Sequence, residues 1–351
     1  MNPQLKSDLQ YIHKNFDNKK IFKDKNILIT GFNGFIGFEL SNYFINYKKE
    51  LKINNLYLTD INFKKKKFNN KKIQLIKFNV IKDDLEKVIQ NKINIIIHAA
   101  SIASPKRYRK NPIQTIESNV VGLTKLLKYS HKKKIDRLLY FSSSEIYGSP
   151  DSNNIPTSEI YNGNVSTMGP RACYDESKRF CETLCYIYNQ KFNVPVRIVR
   201  PFNNYGPGMK TNDGRLPADI ADSIINNKAL IIHSNGRPTR TFCYIADAIL
   251  GYLKVLSYKK FEVFNIGNDS EEISVNKFVK TFLECSKNFF PNNKKNKILF
   301  KKSKEKDYLK DNPSRRRPNI KKARQLIKFK PTINLKKGLN NYLNFLSYID
   351  D

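Results

Sequence analysis

Short apolar runs alternate with amphipathic stretches from residue 26 to about residue 204. The runs have the length of β-strands, and the stretches between several of them have the periodicity of helices, about 3.6 residues. The predicted strands lie at 27–29, 56–60, 73–78, 93–97, 138–141 and 196–199. Strands that alternate with helices form parallel sheets covered on both faces, so the pattern predicts an α/β fold with a doubly wound parallel sheet.

The alternation ends near residue 205, where Gly and Pro become more frequent. Helices are predicted in this part near 218–225 and 247–256. We expect a smaller mixed α/β domain that packs closely on the sheet, because no long low-complexity linker separates the two parts. Before the first strand, residues 1–24 are predicted to form an amphipathic helical extension.

A glycine-rich turn follows the first predicted strand and precedes a helical pattern. Gly31, Gly34 and Gly37 allow a tight turn and a close backbone approach, so that helix N–H groups can contact a pyrophosphate. Asp60 ends the second strand, where a carboxylate accepts hydrogen bonds from a ribose diol and repels a 2′-phosphate. This context predicts a dinucleotide site that prefers NAD to NADP, and a glycine turn without a ligand is the alternative.

Tyr174 and Lys178 are four residues apart, and this spacing places both side chains on the same face of a helix. A free phenol has a pKa of about 10, so lowering it to neutrality requires about 4 kcal/mol of electrostatic stabilisation. We expect the ammonium of Lys178 and a cationic nicotinamide ring to supply much of it. Such pairs are common by chance, and the surrounding segment 169–178 is far more specific.

A serine-rich segment, 142–148, follows the fifth predicted strand directly. Ligands of open α/β sheets bind beyond the carboxyl ends of the strands, which is where this segment falls. One interpretation is a turn that caps a helix. The other is proton transfer, since Ser143 provides a hydroxyl and Glu145 a carboxylate facing the tyrosine–lysine pair.

The chain is strongly basic, with 64 Lys and Arg against 31 Asp and Glu and a formal net charge of +33. Such a charge is typical of nucleic-acid binders and also of surfaces covered with solvated lysines. The basic residues are scattered in short runs without an interleaved aromatic platform, which favours the second interpretation and predicts no nucleic-acid partner. A basic surface would still attract an anionic substrate.

Five cysteines, without a secretory or membrane-spanning pattern, predict a cytoplasmic protein with reduced thiols and no membrane partner. Cys181 and Cys185 are four residues apart on a predicted helix, but none of the four His residues is placed to complete a metal site. Core packing is the better interpretation of this pair, so no metal cofactor is expected.

Several longer segments of the sequence support the prediction of an NAD-dependent enzyme. They are HAAS at 98–101, SP at 104–105, SSSEIYG at 142–148, GPRACYDESKR at 169–179, FNNYGPG at 202–208, NDGR at 212–215, TRTFCY at 239–244 and RRPNIKKA at 316–323. In this order they resemble the NAD-dependent nucleotide-sugar epimerase/dehydratase family of extended short-chain dehydrogenases. Within that family the chain is most similar to the UDP-glucuronate decarboxylases, also called UDP-xylose synthases, from about residue 25 to about residue 345.

The resemblance implies a role for each catalytic side chain. Tyr174 would be the base, and Lys178 would be its partner and would also contact the nicotinamide ribose. Ser143 would hydrogen-bond the sugar hydroxyl that is oxidised. Glu145 and Arg316 would be the pair that the decarboxylases add for their own chemistry.

The resemblance also implies two sets of binding residues. NAD would be bound by Gly31, Gly34, Phe35, Ile36, Gly37, Asp60, Ala99, Ala100 and Ser101, together with Tyr174 and Lys178. The nucleotide sugar would be bound by Tyr108, Asn203, Arg215, His233, Arg240 and Arg316.

Three residues depart from the family's pattern. Gly208 replaces a common Arg, His233 replaces a common Tyr, and Asn79 stands where an Asp often contacts adenine. The first two departures leave the identity of the nucleotide open.

Three reactions of this family share a 4-keto sugar intermediate. The 4,6-dehydratases typically have an Asp–Glu pair where this chain has Ser144 and Glu145, and the 4-epimerases usually have a small or neutral residue in place of the Glu. Glu145 together with Arg316 therefore favours decarboxylation of UDP-glucuronate to UDP-xylose, with dehydration and epimerisation as alternatives. A regulator that binds NAD and a nucleotide sugar without catalysis is a more remote alternative.

The family resemblance adds names to the expected parts of the chain. The N-terminal extension over 1–24 would precede an NAD-binding, Rossmann-type domain over 25–204, to which a segment near 239–258 returns. Residues 205–345 would form a mainly substrate-binding domain. A homodimer is also implied, formed through paired helices of which one carries Tyr174.

Overall fold

A computed structural model describes residues 1–63, 68, 70–211, 213–293, 297–301, 303 and 310–348. Its strands are β1 (Asn26–Thr30), β2 (Asn55–Asp60), β3 (Ile73–Lys77), β4 (Ile95–His98), β5 (Arg137–Phe141), β6 (Val196–Pro201), β7 (Asn204–Tyr205), β8 (Leu230–Ile232), β9 (Thr239–Arg240), β10 (Cys243–Tyr244), β11 (Val263–Ile266), β12 (Ile273–Ser274), β13 (Ile298–Phe300) and β14 (Arg315–Arg316).

The α-helices lie between these strands and at both ends of the chain. They are α1 (Pro3–Asn15), α2 (Phe35–Tyr47), α3 (Leu85–Val88), α4 (Pro105–Lys110), α5 (Pro112–Lys133), α6 (Ala172–Phe192), α7 (Leu216–Ile225), α8 (Ile245–Ser257), α9 (Val275–Ser286), α10 (Lys321–Ile327) and α11 (Leu335–Ser347). Among the described residues, none of the helices combines the length and the apolar character needed to cross a membrane.

The main sheet has the strand order β11-β6-β5-β4-β1-β2-β3, and all its neighbouring strands are parallel. Its central strands are covered on both faces, so that Ile27, Leu28 and Ile29 of β1 are fully buried. From β1 the chain continues to β2 and β3 on one side, and it then crosses to β4 on the other side of β1. This reversal of strand order opens a crevice beyond the carboxyl ends of β1 and β4. The predicted doubly wound, Rossmann-type sheet is confirmed, and its six predicted strands correspond to β1 to β6.

The seventh strand, β11, has no counterpart among the predicted strands. Within the described part of the chain it pairs with β6 alone, and it forms one edge of the sheet. Helix α8, which precedes it, is buried along most of its length and packs against β5, β6 and β11. The chain between α8 and β11 therefore returns to the main sheet.

The N-terminal extension forms α1, which packs against α2, α8 and α11. Leu5, Leu9 and Ile12 form its buried apolar side. The Asn2 side chain caps the helix by accepting hydrogen bonds from the backbone N–H groups of Gln4 and Leu5. The extension thus contacts α2, which begins at the glycine turn, and also the helices of the C-terminal part.

The C-terminal part combines small sheets with helices. β9 pairs with β12 and β14, and β8 pairs with β13. Helices α7, α9 and α11 pack on one another, because α9 has one strongly apolar side with Phe278, Val279 and Phe282 buried. This is the smaller mixed α/β architecture that the sequence pattern predicts.

Candidate active site

The loops after β1, β4, β5 and β6 meet at one edge of the main sheet, because these strands are parallel neighbours. They carry Gly31, Ala99, Ser143 and Asn203, which are predicted contacts of the cofactor or the substrate. Candidate residues from four separate segments therefore lie at the same carboxyl edge.

The glycine turn leaves no room for side chains. A Cβ atom on Gly31 would lie 2.7 Å from the Cα atom of Ala100, and one on Gly37 would lie 2.0 Å from the carbonyl oxygen of Gly31. Gly31 has a φ of 75°, in the left-handed region that glycine adopts without strain. The turn is a cradle whose walls are backbone atoms.

Helix α2 begins directly after this turn, with Gly34 at its N-cap and no side chain to cap it. The first N–H groups of a helix, here those of Phe35, Ile36 and Gly37, have no partner within the helix and attract anions. Asp60 ends β2 beside the turn, and its carboxylate accepts a hydrogen bond of 3.0 Å from the backbone of the turn. The pyrophosphate of NAD fits the helix end, and its ribose diol fits the carboxylate of Asp60.

A chain of hydrogen bonds connects the loop after β4 to helix α6. Ser101 Oγ donates to Asn119 Oδ1 at 2.8 Å, and Asn119 Nδ2 donates to Ser177 Oγ at 2.8 Å. Ser177 Oγ in turn donates to the backbone carbonyl of Tyr174 at 2.9 Å. The loop that carries the predicted cofactor contact Ser101 is therefore tied to the helix that carries Tyr174.

Helix α6 presents Tyr174 and Lys178 to the site, and both side chains are buried. The Lys178 ammonium donates to the carbonyl of Phe141 at 2.7 Å and lies 5.8 Å from the centre of the Tyr174 ring. The side chains of Ser143 and Tyr174 are hydrogen-bonded to each other. The phenol therefore lies against the serine-rich segment at the end of β5.

The protein groups alone do not make this phenol acidic. Burial raises the pKa of Tyr174 to about 12, although the hydrogen bond with Ser143 opposes the shift. Burial also lowers the pKa of Lys178 to about 8. Desolvation therefore dominates the pKa of Tyr174 in the protein by itself, and the expected lowering by Lys178 together with a cationic nicotinamide ring remains a prediction.

Glu145 lies between two arginines. Arg316 donates two hydrogen bonds to its carboxylate, Nη1 to Oε1 and Nη2 to Oε2, each at 2.5 Å. Arg171 Nη2 donates a third hydrogen bond to Oε2. Burial raises the pKa of Glu145, but the charges of Arg171 and Arg316 outweigh burial and lower the pKa to about 2. The carboxylate is therefore ionised at neutral pH.

Two members of this charged cluster have no role in the sequence-based prediction. Arg171 immediately precedes α6, and its Nε lies 3.4 Å from the carboxylate of Asp175, one helical turn further along. Burial, and secondly the charge of Glu145, raises the pKa of Asp175 to about 7. The spacing of four between Arg and Asp within segment 169–179 is the signal in the sequence for this ion pair.

Three predicted substrate residues lie close to these groups or to the glycine turn. The Tyr108 ring stacks on the Tyr174 ring, with centroids 5.1 Å apart and an interplanar angle of 10°. The guanidinium of Arg215 lies 5.4 Å from the centre of the Phe35 ring. Asn203 follows β6, with a φ of 38°, and its side chain donates to a backbone carbonyl at 2.9 Å.

Arg240 and His233 are placed differently. The buried guanidinium of Arg240 donates to the carbonyls of Ser314 and Pro313, which precede β14, at 3.1 and 2.6 Å. Burial, and then the charge of Arg316, lowers the pKa of Arg240 to about 9. His233 follows β8 and lines a cavity of about 350 Å³ that the Glu145 cluster does not border.

One residue of the segment 212–215, Gly214, lines that cavity together with His233. Asn212 of this segment lies outside the described residues. Arg215 follows Gly214 directly in the chain. The predicted substrate residues Arg215 and His233 therefore both lie near this cavity.

Among the described residues, no cluster of three or more His, Cys, Asp or Glu side chains is placed to hold a metal ion.

The fold and the site together define a class of protein. A glycine cradle at the first βα turn, an acid at the end of β2 and a buried tyrosine–lysine pair beside a serine fit NAD and an alcohol substrate. The NAD dependent epimerase/dehydratase family matches residues 27–267. The chain belongs to this family, as its resemblance predicts, and it is an NAD-dependent enzyme.

The relatives within this family are more specific. The chain is 32% identical to UDP-glucuronic acid decarboxylase 1 of Xenopus tropicalis, over 97% of this chain and 78% of that protein. It is 33% identical to UDP-glucuronic acid decarboxylase 6 of Arabidopsis thaliana, over 92% of this chain and 89% of that protein.

Solved structures have the same architecture. The UDP-glucuronic acid 4-epimerase from Bacillus cereus, in complex with UDP-glucuronic acid and NAD, is 25% identical and matches with a TM-score of 0.74, over 92% of this chain and 98% of that chain. The dTDP-glucose 4,6-dehydratase DesIV from Streptomyces venezuelae matches with a TM-score of 0.77 and 19% identity, over 91% of this chain and 96% of that chain. The second likeness shows the fold alone.

Proposed function

We propose that the protein decarboxylates UDP-glucuronate to UDP-xylose through a 4-keto intermediate. The observation that carries this proposal is the ion pair between Glu145 and Arg316 at the site of Tyr174. Relatives that are named UDP-glucuronic acid decarboxylases, at 32% to 35% identity, support the substrate.

In the proposed reaction Tyr174 acts as the base. Its phenolate removes the proton of the sugar 4-hydroxyl, while Ser143 hydrogen-bonds the same oxygen. Bound NAD supplies the hydride acceptor for C4 and returns the hydride at the end of the cycle. Because burial alone raises the pKa of Tyr174 to about 12, the phenolate requires additional positive charge near the ring, from Lys178 and from the bound cofactor.

The second step breaks the bond between C5 and C6. The C4 ketone lies β to the C6 carboxylate, so carbon dioxide leaves while the bonding electrons move into the ketone to form an enolate. A proton then adds to C5, and C4 is reduced to the alcohol. We propose that the guanidinium of Arg316 orients the carboxylate with two parallel hydrogen bonds, as planar guanidinium groups do.

Two related reactions begin with the same oxidation. Epimerisation is favoured by the likeness to the Bacillus cereus 4-epimerase, which was solved with UDP-glucuronic acid. Dehydration is disfavoured because Ser144 offers a hydroxyl where a dehydratase needs an acid for the departing group. Decarboxylation agrees best with the charged pair at Glu145.

The test is incubation of the purified enzyme with UDP-glucuronate, with carbon dioxide and product mass as readouts. Release of carbon dioxide together with UDP-xylose would support the proposal. A product of unchanged mass would indicate an epimerase, and loss of water would indicate a dehydratase. No product and no change in NADH absorbance would indicate a binding protein without catalysis. A panel of UDP-, dTDP-, GDP- and CDP-sugars would identify the nucleotide.

We also propose a homodimer formed through α5 and α6. These two helices pack against each other and expose apolar side chains. The exposed apolar residues are Ile113, Ile116 and Val121 on α5, and Phe180, Tyr186, Ile187 and Phe192 on α6. Apolar patches of this kind are typical of subunit interfaces. The molar mass in solution tests the proposal.

We propose a cytoplasmic location. All five cysteines are free thiols. Free thiols persist in reducing compartments, where disulfides are rare. Cell fractionation tests this location, and recovery from an oxidising compartment would contradict it.

A further inference from the structure

The guanidinium of Arg316 is already occupied by a carboxylate of the protein itself. Both of its terminal nitrogens donate to Glu145 at 2.5 Å, in the parallel arrangement that a guanidinium forms with any carboxylate. The Arg316 side chain is 10% exposed and the Glu145 side chain is 19% exposed. A carboxylate on a sugar would require the same two nitrogens and would therefore compete with Glu145.

A second guanidinium, that of Arg171, also contacts Glu145. Arg171 donates to Oε2 of the same carboxylate, and its side chain is 7% exposed. Asp175 contacts the opposite side of this guanidinium, through Nε at 3.4 Å, and the ring of Tyr108 lies 5.9 Å from it. An ionised carboxylate in a buried site is strongly destabilising without a partner. Arg171 removes that difficulty, because Glu145 stays paired when it leaves Arg316.

The charge of the cluster leaves room for one more anion. Three arginines, Arg171, Arg240 and Arg316, face the carboxylates of Glu145 and Asp175. Glu272 also faces Arg240, but Arg315 donates two hydrogen bonds to it and balances its charge. The cluster therefore carries an excess of one positive charge when both carboxylates are ionised. Entry of one substrate carboxylate would neutralise this excess.

We infer that Glu145 is an internal stand-in for the carboxylate of the substrate on Arg316, and that Arg171 is the positioning residue that holds Glu145 when the substrate takes its place. The inference rests on the proposed function, because it assumes a sugar nucleotide with a C6 carboxylate. A neutral sugar has no group that replaces Glu145, so the pair with Arg316 persists. The exchange therefore lowers the affinity for a uronate and leaves the affinity for a neutral hexose unchanged.

The first test measures binding and does not depend on turnover. In Glu145→Gln the competing charge is removed, so UDP-glucuronate should bind about fivefold more tightly, while UDP-glucose binds as before. Titration calorimetry measures both affinities. Glu176→Gln, at a partly exposed position on α6 where the carboxylate pairs with Arg179, is the matched control and should change neither. Equal or weaker binding of UDP-glucuronate by Glu145→Gln would overturn the inference.

The second test addresses Arg171. In Arg171→Met the KM for UDP-glucuronate should rise about tenfold, because Glu145 has no second partner to accept it. The affinity for UDP-glucose should stay the same, because a neutral sugar leaves Glu145 paired with Arg316. A purely structural role of Arg171 would weaken the binding of both sugar nucleotides alike. Lys191→Met, at the exposed end of α6, is the control.

Other ionisable groups surround the same carboxylate. The ionisable groups that face Glu145 are Arg171, Arg240, Arg316, Asp175, Tyr108 and Tyr174. Arg171→Lys keeps the positive charge and should restore KM in part, because an ammonium can still pair with Glu145. An equal loss of affinity for UDP-glucose in Arg171→Met would overturn the role of Arg171. Absence of carbon dioxide with the unaltered enzyme would instead overturn the proposed function, and the binding test would still decide the exchange at Arg316.

Discussion

Replacing Asp8 by Asn should stabilise the protein, and the gain should grow as the pH rises. Asp8 lies on α1 and is 3% exposed, and its carboxyl accepts hydrogen bonds from the Tyr244 hydroxyl at 2.6 Å and the Gln4 side chain at 2.9 Å. Burial raises the pKa of Asp8 to about 7, and these hydrogen bonds oppose the shift only in part. The other carboxyl groups that bear on it are those of Glu39 and Asp247.

The size of the effect follows from the pKa difference. The ordinary pKa of this side chain is 3.8, so in the native state it is raised by about three units, which corresponds to roughly 4 kcal/mol. Between these two pKa values the native state binds a proton that the unfolded chain has released. The free energy of unfolding therefore falls as the pH rises from 3.8 to about 7, and the loss is complete above that range. An Asn keeps the shape and an acceptor oxygen but cannot ionise.

Urea unfolding, followed by circular dichroism, measures this difference. The gain in unfolding free energy of Asp8→Asn over the unaltered protein should be about 3 kcal/mol larger at about pH 8 than at about pH 5. Asp17→Asn is the control, because the side chain of Asp17 is 85% exposed and its loss should have no such pH dependence. A gain that is equal at both pH values, or a loss at both, would refute the argument that Asp8 is held protonated by burial.

Two further predictions concern the proposed base and the proposed dimer. Tyr174→Phe should lower the rate of carbon dioxide release roughly a thousandfold and leave NAD bound, because it removes only the phenolic oxygen. Tyr348→Phe, at an exposed position, is the control. A near-normal rate in Tyr174→Phe would show that another group is the base. Phe180→Asp should convert the dimer to a monomer in light scattering, because it places a charge on a 51% exposed apolar side chain of the proposed interface. Ile160→Asp, at a position that is 86% exposed and lies outside α5 and α6, should leave the mass unchanged. A dimer that persists in Phe180→Asp would place the interface elsewhere.

Much of the candidate site is predictable from short stretches of sequence. Gly31 and Gly37 predict the cradle because the geometry of a tight turn depends on neighbouring residues. Tyr174 and Lys178 share a helix face because helical spacing is local. The pair of Glu145 and Arg316 is less local, and only the order of matching segments along the chain predicts it.

The sequence by itself determined the alternation of strands and helices, the glycine turn and the spacing of the tyrosine and lysine, because each depends on residues close together in the chain. The tertiary structure alone decided that Arg171 shares Glu145 with Arg316, that β11 completes the sheet, and that Asp8 is enclosed against Tyr244. It also showed that burial raises the pKa of Tyr174 in the protein by itself. Desolvation and ion pairing depend on which distant segments pack around an ionisable group, and the residues next to that group in the sequence do not predict this packing.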